Sequence, residues 1–293
     1  MISMSKLNIV MCPPTYMSSD IKNNAWMEEY PGDEAGVNVD VAMKQFWDLY
    51  TAISQVAFVW LLPPKKGLQD QVYVANAAAV LPHLDKTAVL ATFKAEGRPG
   101  EEDIMDDLLK NLDYTTHRCP YYFEGEAELK WIRDNIYIGG YGIRTSKAAL
   151  QWMEKKFDMQ IIPVKETDKY LYHLDCSIFP LDMETVLVAD TVEVEALNAI
   201  GRVATVIPVD KRNAYDSMCN MLRIGGVIFA SGAIMQDGSD SWSKPMNSEL
   251  IEICRKRGIQ PVFINMEEFA KSGAALSCCC MHLDYDRVRF EYP

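Results

Sequence analysis

Short apolar runs typical of β-strands alternate with helical patterns along this whole 293-residue chain. No Pro-, Gly- or Ser-rich linker interrupts the alternation, which indicates the α/β class. Spacing alone does not separate βαβ-type modules packed round a centre from a doubly wound sheet. The predicted strands cover residues 8–12, 55–62, 71–81, 87–93, 135–141, 159–165, 170–181, 185–190, 203–209, 225–231, 260–266 and 274–285. The predicted helices cover residues 39–55, 101–112, 146–157, 212–223 and 247–258, with Ser146 as an N-cap and Gly258 as a C-cap.

The chain carries a net charge of −12, from 41 acidic and 29 basic residues. A field of this sign repels a polyanion, so we expect no nucleic-acid partner. It weakly favours a small cationic substrate, although an acidic surface also simply keeps a protein soluble. No apolar stretch approaches the roughly 20 residues that span a bilayer, and the first residues lack the apolar region of a secretory signal. We therefore expect a cytoplasmic protein without a membrane partner.

Eight cysteines occur, three of them adjacent at positions 278–280. An even count is no evidence of disulfides without a secretory signal. No CxxC pair is present, and three adjacent cysteines on a strand would alternate between its faces, so we expect no metal site. Neither a phosphate-binding GxxxxGK[ST] loop nor a dinucleotide-binding GxGxxG follows a strand, so no cofactor is expected. Most of the cysteines are expected to be buried apolar residues.

His173 and Asp175 lie two residues apart within the predicted strand 170–181. Side chains two apart on a strand project from the same face. A carboxylate beside an imidazole fixes the tautomer of the ring and raises its pKa, which suits a proton shuttle. The same pattern also fits a half-buried strand whose polar face meets solvent, and both interpretations stay open.

Two further segments contain residue types that carry out chemistry. Residues 123–128, Phe-Glu-Gly-Glu-Ala-Glu, are either a solvated turn or a way to aim a carboxylate into a pocket that holds a cation. Residues 271–280 place small residues, which allow close backbone approach to a ligand, directly before the cysteines. A thiolate there is a good nucleophile if a protonated His173 or a cationic substrate lowers its pKa.

Eight short segments occur in the same order as motifs of one superfamily. They are residues 11–14 (MCPP), 24–27 (NAWM), 72–77 (VYVANA), 123–126 (FEGE), 142–146 (GIRTS), 173–175 (HLD), 219–220 (CN) and 276–279 (LSCC). The chain therefore resembles the guanidino-group modifying superfamily of arginine deiminases, dimethylarginine hydrolases, amidinotransferases and arginine dihydrolases. It is most similar to the arginine dihydrolases.

The resemblance implies a fold and a mechanism. The fold is a single-domain α/β propeller over residues 1–293, pentein-like, with five ββαβ modules around a central substrate channel. Cys278 attacks the guanidinium carbon, and His173 protonates the departing amine and then activates water to hydrolyse the thiouronium intermediate. Glu124 and Asp175 neutralise and orient the guanidinium, as carboxylates around a planar cation can.

The resemblance also implies substrate-binding roles for Asn24, Asn76, Arg144 and Asn220, with Arg144 on the substrate carboxylate. Deiminases carry an Asp at the position of Asn76, whereas arginine dihydrolases carry Asn. A neutral amide can donate an N–H to the citrulline oxygen where a carboxylate would repel it. The implied reaction is hydrolysis of L-arginine to ornithine, ammonia and carbon dioxide.

Other functions stay open at this point. Residues 276–279 resemble a motif of the dimethylarginine hydrolases, which leaves dimethylarginine hydrolysis open. An arginine deiminase would stop at citrulline. An amidinotransferase would need an amine acceptor in place of water. A non-catalytic arginine-binding protein on the same scaffold would bind arginine without turnover. Whether the chain forms a homo-oligomer is left open by the sequence.

Overall fold

The computed structural model describes residues 6–29, 36–232 and 245–287. Within these ranges, fifteen β-strands form five sheets of three strands each. The strands are β1 Leu7–Met11, β2 Ala57–Leu61, β3 Ala78–Val80, β4 Thr87–Leu90, β5 Thr115–Arg118, β6 Leu129–Arg133, β7 Ile136–Tyr141, β8 Gln160–Lys165, β9 Ile178–Pro180, β10 Thr185–Ala189, β11 Thr205–Val209, β12 Leu222–Ile224, β13 Val227–Ser231, β14 Gln260–Ile264 and β15 Met281–His282. The helices are α1 Ala25–Glu29, α2 Val39–Ser54, α3 Glu101–Asn111, α4 Lys147–Phe157, α5 Val194–Ile200, α6 Lys211–Tyr215, α7 Pro245–Arg257 and α8 Glu267–Ala270.

All five sheets repeat one pattern of pairing. In each, the middle strand pairs antiparallel with one neighbour and parallel with the other. The parallel pair is joined through a helix, as parallel strands require a crossover connection. Four sheets are built from consecutive strands, whereas β15 joins β1 and β2 and so links the two ends of the described chain. The predicted α/β class is confirmed.

The helices form where capping residues flank a segment with one apolar face. The Ser146 hydroxyl accepts a hydrogen bond from the Ala149 N–H at 3.3 Å, so it caps α4 as predicted. Leu150 and Met153 of α4 are buried against its sheet. Gly258 follows α7 with φ +63°, a left-handed conformation that glycine adopts without strain, and the predicted C-cap is also confirmed. No helix in the described part of the chain is long and apolar enough to cross a membrane.

Three predicted strands are much shorter in the structure because each begins with a 3₁₀ turn. The turns cover Val74–Asn76, Leu174–Cys176 and Ser277–Cys279, and each is followed by only two or three strand residues. A fourth such turn, Gly125–Glu128, precedes β6. These turns place polar side chains at the start of a sheet.

Other predicted elements also differ from the structure. The predicted helix 212–223 is wrong beyond Tyr215, because α6 ends there and the chain then turns into β12. Strands β5 and β6 lack the apolar runs or alternation that a strand prediction uses, and neither was predicted. The short helix α5 was missed as well.

Candidate active site

Side chains at the four 3₁₀ turns meet at one small cavity, three of them in its lining and Glu124 through its contact with His173. Asn76 belongs to the first turn, Glu124 directly precedes the second, His173 directly precedes the third and Cys278 lies within the fourth. All four residues are buried. The residues lining the cavity are Asn23, Asn24, Asp70, Tyr73, Asn76, Arg98, Arg144, Tyr172, His173, Ser272, Ala274 and Cys278.

The Cys278 thiol is one of the groups that line this cavity. The Asn220 Nδ2 donates to Cys278 Sγ at 3.4 Å, and Asp175 Oδ2 lies 3.7 Å from the same sulfur. Burial, together with the charge of Asp175, raises the pKa of Cys278 to about 12. The group is therefore a thiol at neutral pH, and a cation beside it would favour the thiolate.

His173 also lines the cavity and is hydrogen-bonded to Glu124. Its Nε2 lies 2.7 Å from Glu124 Oε2, and the Asn76 amide nitrogen is 3.5 Å from the same ring atom. Burial alone would raise the pKa of Glu124, but the charge of Arg144 and the hydrogen bond from His173 bring it below its ordinary value. Glu124 is therefore a buried carboxylate that can orient the imidazole.

The expectation that His173 and Asp175 act from one strand face is wrong. Residues 174–176 form a 3₁₀ turn, so the two side chains point to different partners. Asp175 Oδ2 accepts a hydrogen bond from the Ser277 hydroxyl at 2.6 Å and lies beside Cys278 Sγ. The carboxylate next to the imidazole is Glu124 instead, which lies 49 residues away in the chain.

Two guanidinium groups border the cavity. Arg144 donates to Glu124 Oε2 at 2.9 Å and to the Asn23 carbonyl oxygen at 2.7 Å. Arg98 forms a two-point ion pair with Glu101, at 3.1 and 2.7 Å, and lies 4.0 Å from Glu124 Oε2. Burial raises the pKa of Glu101 to about 7, against the opposing effect of the Arg98 charge.

Arg98 and Asp70, which also lines the cavity, were not predicted from the sequence. Arg98 precedes the Pro-Gly turn that leads into α3, and Asp70 lies in an irregular segment. Neither segment has hydrophobic periodicity or a recognised motif. The one usable signal for Arg98 was a basic residue directly before a Pro-Gly turn and an acidic helix start.

The predicted substrate-binding residues Asn24 and Asn220 are both near the nucleophile but differ in their contacts. The Asn24 side chain accepts from the Met27 N–H at 3.0 Å and donates to the Ser272 carbonyl oxygen at 2.9 Å. It therefore ties the start of α1 to the segment that precedes Cys278. Asn220 accepts from the Ser277 N–H at 2.9 Å and donates to Cys278 Sγ, so its amide orients the Cys278 thiol.

Fold and site together define a class: an α/β protein of five three-stranded sheets with a buried cysteine, histidine and carboxylates around one polar cavity. The chain belongs to the family of eukaryotic N,N dimethylarginine dimethylhydrolases, whose sequence profile matches residues 13–284.

Two characterised proteins are similar to this chain over most of its length. It is 27% identical over 286 residues to the bifunctional arginine dihydrolase/ornithine cyclodeaminase AgrE of Nostoc sp., a match that covers 95% of this chain and 38% of that protein. It is 25% identical to the N(G),N(G)-dimethylarginine dimethylaminohydrolase of Mycobacterium tuberculosis, with coverage of 93% and 84%. The chain thus spans about two fifths of the length of AgrE, which carries a second activity in its name.

Solved structures share the fold. A crystal structure of a Cys-to-Ala mutant of AgrE with L-arginine superposes with a TM-score of 0.84 at 25% identity, covering 99% of this chain and 41% of that one. The N-terminal domain of the arginine dihydrolase ArgZ, covalently bound to a reaction intermediate, gives a TM-score of 0.83 over 97% of this chain and 100% of that one. The identity to ArgZ is 24%, which supports the fold alone.

Proposed function

We propose that this chain hydrolyses C–N bonds of the guanidinium group of L-arginine through a covalent intermediate on Cys278, giving ornithine, ammonia and carbon dioxide. The observation that carries the proposal is the cavity itself. A thiol, an imidazole held by a carboxylate, and the neutral amide of Asn76 all face the same small space. The similarity to AgrE, named as an arginine dihydrolase, supports the choice of substrate.

The proposed architecture around this cavity is a closed propeller in one domain of residues 1–293. Its support is the repeated sheet pattern and the convergence of four turns from four different sheets on one point. The cavity would then lie on the axis of the propeller, as the substrate channel. The cytoplasmic location stays a prediction from the sequence.

Substrate binding follows from the charges that line the cavity. The guanidinium cation would lie between Glu124 and Asp175, the two carboxylates nearest His173 and Cys278. Arg144 forms an ion pair with Glu124 in this structure, so the incoming substrate guanidinium would take the place of Arg144 beside the carboxylate. Arg144 would then bind the substrate α-carboxylate together with Arg98, because guanidinium groups bind carboxylates through paired hydrogen bonds.

The first hydrolysis would use the thiol and the imidazole in turn. The Cys278 thiol passes its proton to His173, and the substrate cation stabilises the thiolate that forms. The sulfur attacks the guanidinium carbon, and His173 protonates one amino group, which leaves as ammonia. Water, deprotonated by His173, then attacks the thiouronium carbon, releases the sulfur and forms citrulline.

Asn76 would decide whether the reaction continues. A carboxylate at this position would repel the ureido oxygen of citrulline, whereas the Asn76 amide can donate an N–H to it. Citrulline would therefore stay bound in a reactive position. Cys278 would attack the ureido carbon and expel ammonia, with the proton supplied by His173. Water would then break the carbon–sulfur bond of this intermediate, and the carbamate so formed would lose carbon dioxide and leave ornithine.

Dimethylarginine hydrolysis is the second candidate, favoured by the family profile and by the Mycobacterium tuberculosis relative. The product would then be citrulline with dimethylamine. Arginine deiminase activity would also stop at citrulline, and a non-catalytic arginine-binding protein would give no product.

One experiment separates these outcomes. The purified protein is incubated with L-arginine or with asymmetric dimethylarginine, and citrulline, ornithine, ammonia and dimethylamine are resolved by mass spectrometry. Ornithine from arginine without accumulating citrulline supports the dihydrolase. Citrulline with dimethylamine from the methylated substrate identifies the second candidate, and stoichiometric arginine binding without product contradicts both.

Asn76→Asp tests the role of the amide. We expect citrulline to accumulate and the rate of ornithine formation to fall by about 100-fold, the loss typical when a site must hold a repelled group. Asn198→Asp, at an exposed position on α5, is the matched control and should form ornithine at the wild-type rate. An Asn76→Asp enzyme that makes ornithine as fast as wild type would remove Asn76 from the mechanism.

A further inference from the structure

Two carboxyl groups that the proposed mechanism does not use lie buried behind the turn that carries His173. Glu128 ends the 3₁₀ turn Gly125–Glu128 and is fully buried, and Glu166, directly after β8, is 8% exposed. Three of their four carboxyl oxygens have no N–H or hydroxyl donor within the described residues. A buried charge is costly without a partner, so these groups require an explanation.

The two carboxyl groups lie against the same glycine. A Cβ placed on Gly140, in strand β7, would lie 2.3 Å from Glu128 Oε2 and 2.7 Å from Glu166 Oε1. Only a residue without a side chain fits there, and both carboxyl groups lie against it, close enough for the charge of one to act on the other. One of them must then carry the proton, because two carboxylate anions in a buried contact repel each other strongly.

The geometry favours Glu166 as the group that holds the proton, because the Leu174 N–H stabilises Glu128 as a carboxylate and no N–H or hydroxyl donor within the described residues reaches Glu166. Burial, followed by the negative charge of Glu128, raises the pKa of Glu166 well above its ordinary value. The negative charges of Asp175 and Glu124 act in the same direction. Burial also raises the pKa of Glu128, against the effect of His173.

The pair is connected to the site through the backbone. The Leu174 N–H donates to Glu128 Oε2 at 3.1 Å, and Leu174 lies between His173 and Asp175. Contacts therefore link Glu166 through Glu128, which accepts the Leu174 N–H, to the turn that supplies His173 and Asp175. Ionisation of Glu166 would place a second negative charge against Glu128 and loosen this anchor.

We propose that Glu166 is a positioning residue which, as a neutral acid, holds Glu128 against the Leu174 N–H and so fixes the turn that carries His173 and Asp175. This inference rests on the proposed function for its catalytic readout. It assigns no contact with substrate to Glu166.

Two variants test it. Glu166→Gln keeps a neutral donor, and Glu166→Ala removes it. In Glu166→Ala we expect kcat on arginine to fall by about 10- to 100-fold with KM changed less than about threefold, since displaced catalytic groups lower the rate rather than binding. In Glu166→Gln we expect kcat within about threefold of wild type near neutral pH, and a smaller loss of kcat at alkaline pH than wild type shows.

A substrate-independent measurement keeps this inference separate from the proposed function. Because the folded-state pKa of Glu166 is raised, wild-type stability from this group is fully present below the ordinary carboxyl pKa and is lost as pH rises through the folded-state value. Urea unfolding between about pH 5 and pH 9 should therefore show Glu166→Gln gaining stability over wild type as pH rises. Glu96→Gln, at an exposed position, should follow wild type throughout.

The outcomes are distinct. Wild-type kcat in Glu166→Ala, or Glu166→Gln as slow as Glu166→Ala, would overturn the positioning role. Parallel unfolding curves of wild type and Glu166→Gln across the pH range would overturn the neutral acid. If wild type converts neither arginine nor dimethylarginine, the proposed function fails, and the unfolding data still decide whether Glu166 is protonated.

Discussion

Residues 124–126 supply the glutamates of two glutamate–histidine pairs. The two pairs have the same contact distance but different surroundings. Glu124 Oε2 lies 2.7 Å from His173 Nε2, and Glu126 Oε1 lies 2.7 Å from His282 Nδ1. Gly125 between them has φ +65°, and a Cβ there would lie 2.4 Å from the Ala75 carbonyl oxygen. This glycine lets consecutive carboxylates bond to histidines that belong to different parts of the molecule.

The surroundings give the two pairs different chemistry. The Glu124–His173 pair shares its cavity with Arg98, Arg144 and the Cys278 thiol.

The Glu126–His282 pair borders a different cavity. Glu126 accepts from the His282 backbone N–H as well as the ring, and the ring stacks on Tyr285 at 4.7 Å. Only the Glu124–His173 pair has a thiol facing the same space, as a proton shuttle to a nucleophile requires. The Glu126–His282 pair instead holds β15 in place.

The largest expected difference between the two regions concerns their cysteines. Cys278→Ser should lower kcat on arginine by about 10⁴-fold or more, because a hydroxyl is a far weaker nucleophile than a thiolate. Cys280→Ser, in the wall of the second cavity, should stay within about threefold of wild type. Steady-state kinetics measures both, and calorimetry should show that Cys278→Ser still binds arginine. Equal losses in the two variants would contradict the assignment of the nucleophile.

The histidines should differ next. His173→Gln removes the proton shuttle and should lower kcat by about 10²- to 10⁴-fold. His282→Gln should leave kcat within about threefold but lower the free energy of unfolding by about 1–3 kcal/mol, since it leaves the buried Glu126 carboxylate short of a partner. Kinetics and urea denaturation of the same preparations test the contrast. A catalytic defect in His282→Gln that matched His173→Gln would show that the two regions act as one.

The smallest expected effect is the acid dependence of the second pair. Burial acts to raise the pKa of Glu126, but the charge and hydrogen bonds of His282 lower it below its ordinary value. The stabilisation is therefore fully present above about pH 4.5 and is lost as pH falls through the lowered folded-state pKa. The stability difference between wild type and Glu126→Gln should shrink over that acid range in urea unfolding. A difference that stays constant with pH would mean that Glu126 is not ionised in the fold.

The eight residues taken from the ordered motifs lie together in the structure, whereas strand periodicity did not indicate this grouping. Each lines the cavity or contacts a residue that does. Strand periodicity misplaced His173 relative to Asp175, since a 3₁₀ turn interrupts the expected alternation there. The Glu124 contact joins segments 49 residues apart, and no local pattern encodes such a pairing. The five sheets share one pairing pattern, yet the sequence shows no sharp repeat. Strand pairing is made by the backbone and is compatible with many different side chains.

The walls of the cavity come from separate sheets of the fold. Asn76, Glu124, His173, Asn220 and Cys278 precede or begin elements of five different sheets. A substitution in one turn alters one wall without changing the pairing of any strand. On this scaffold a single substitution can therefore reshape one side of the cavity while the groups that face it from the other sheets keep their positions.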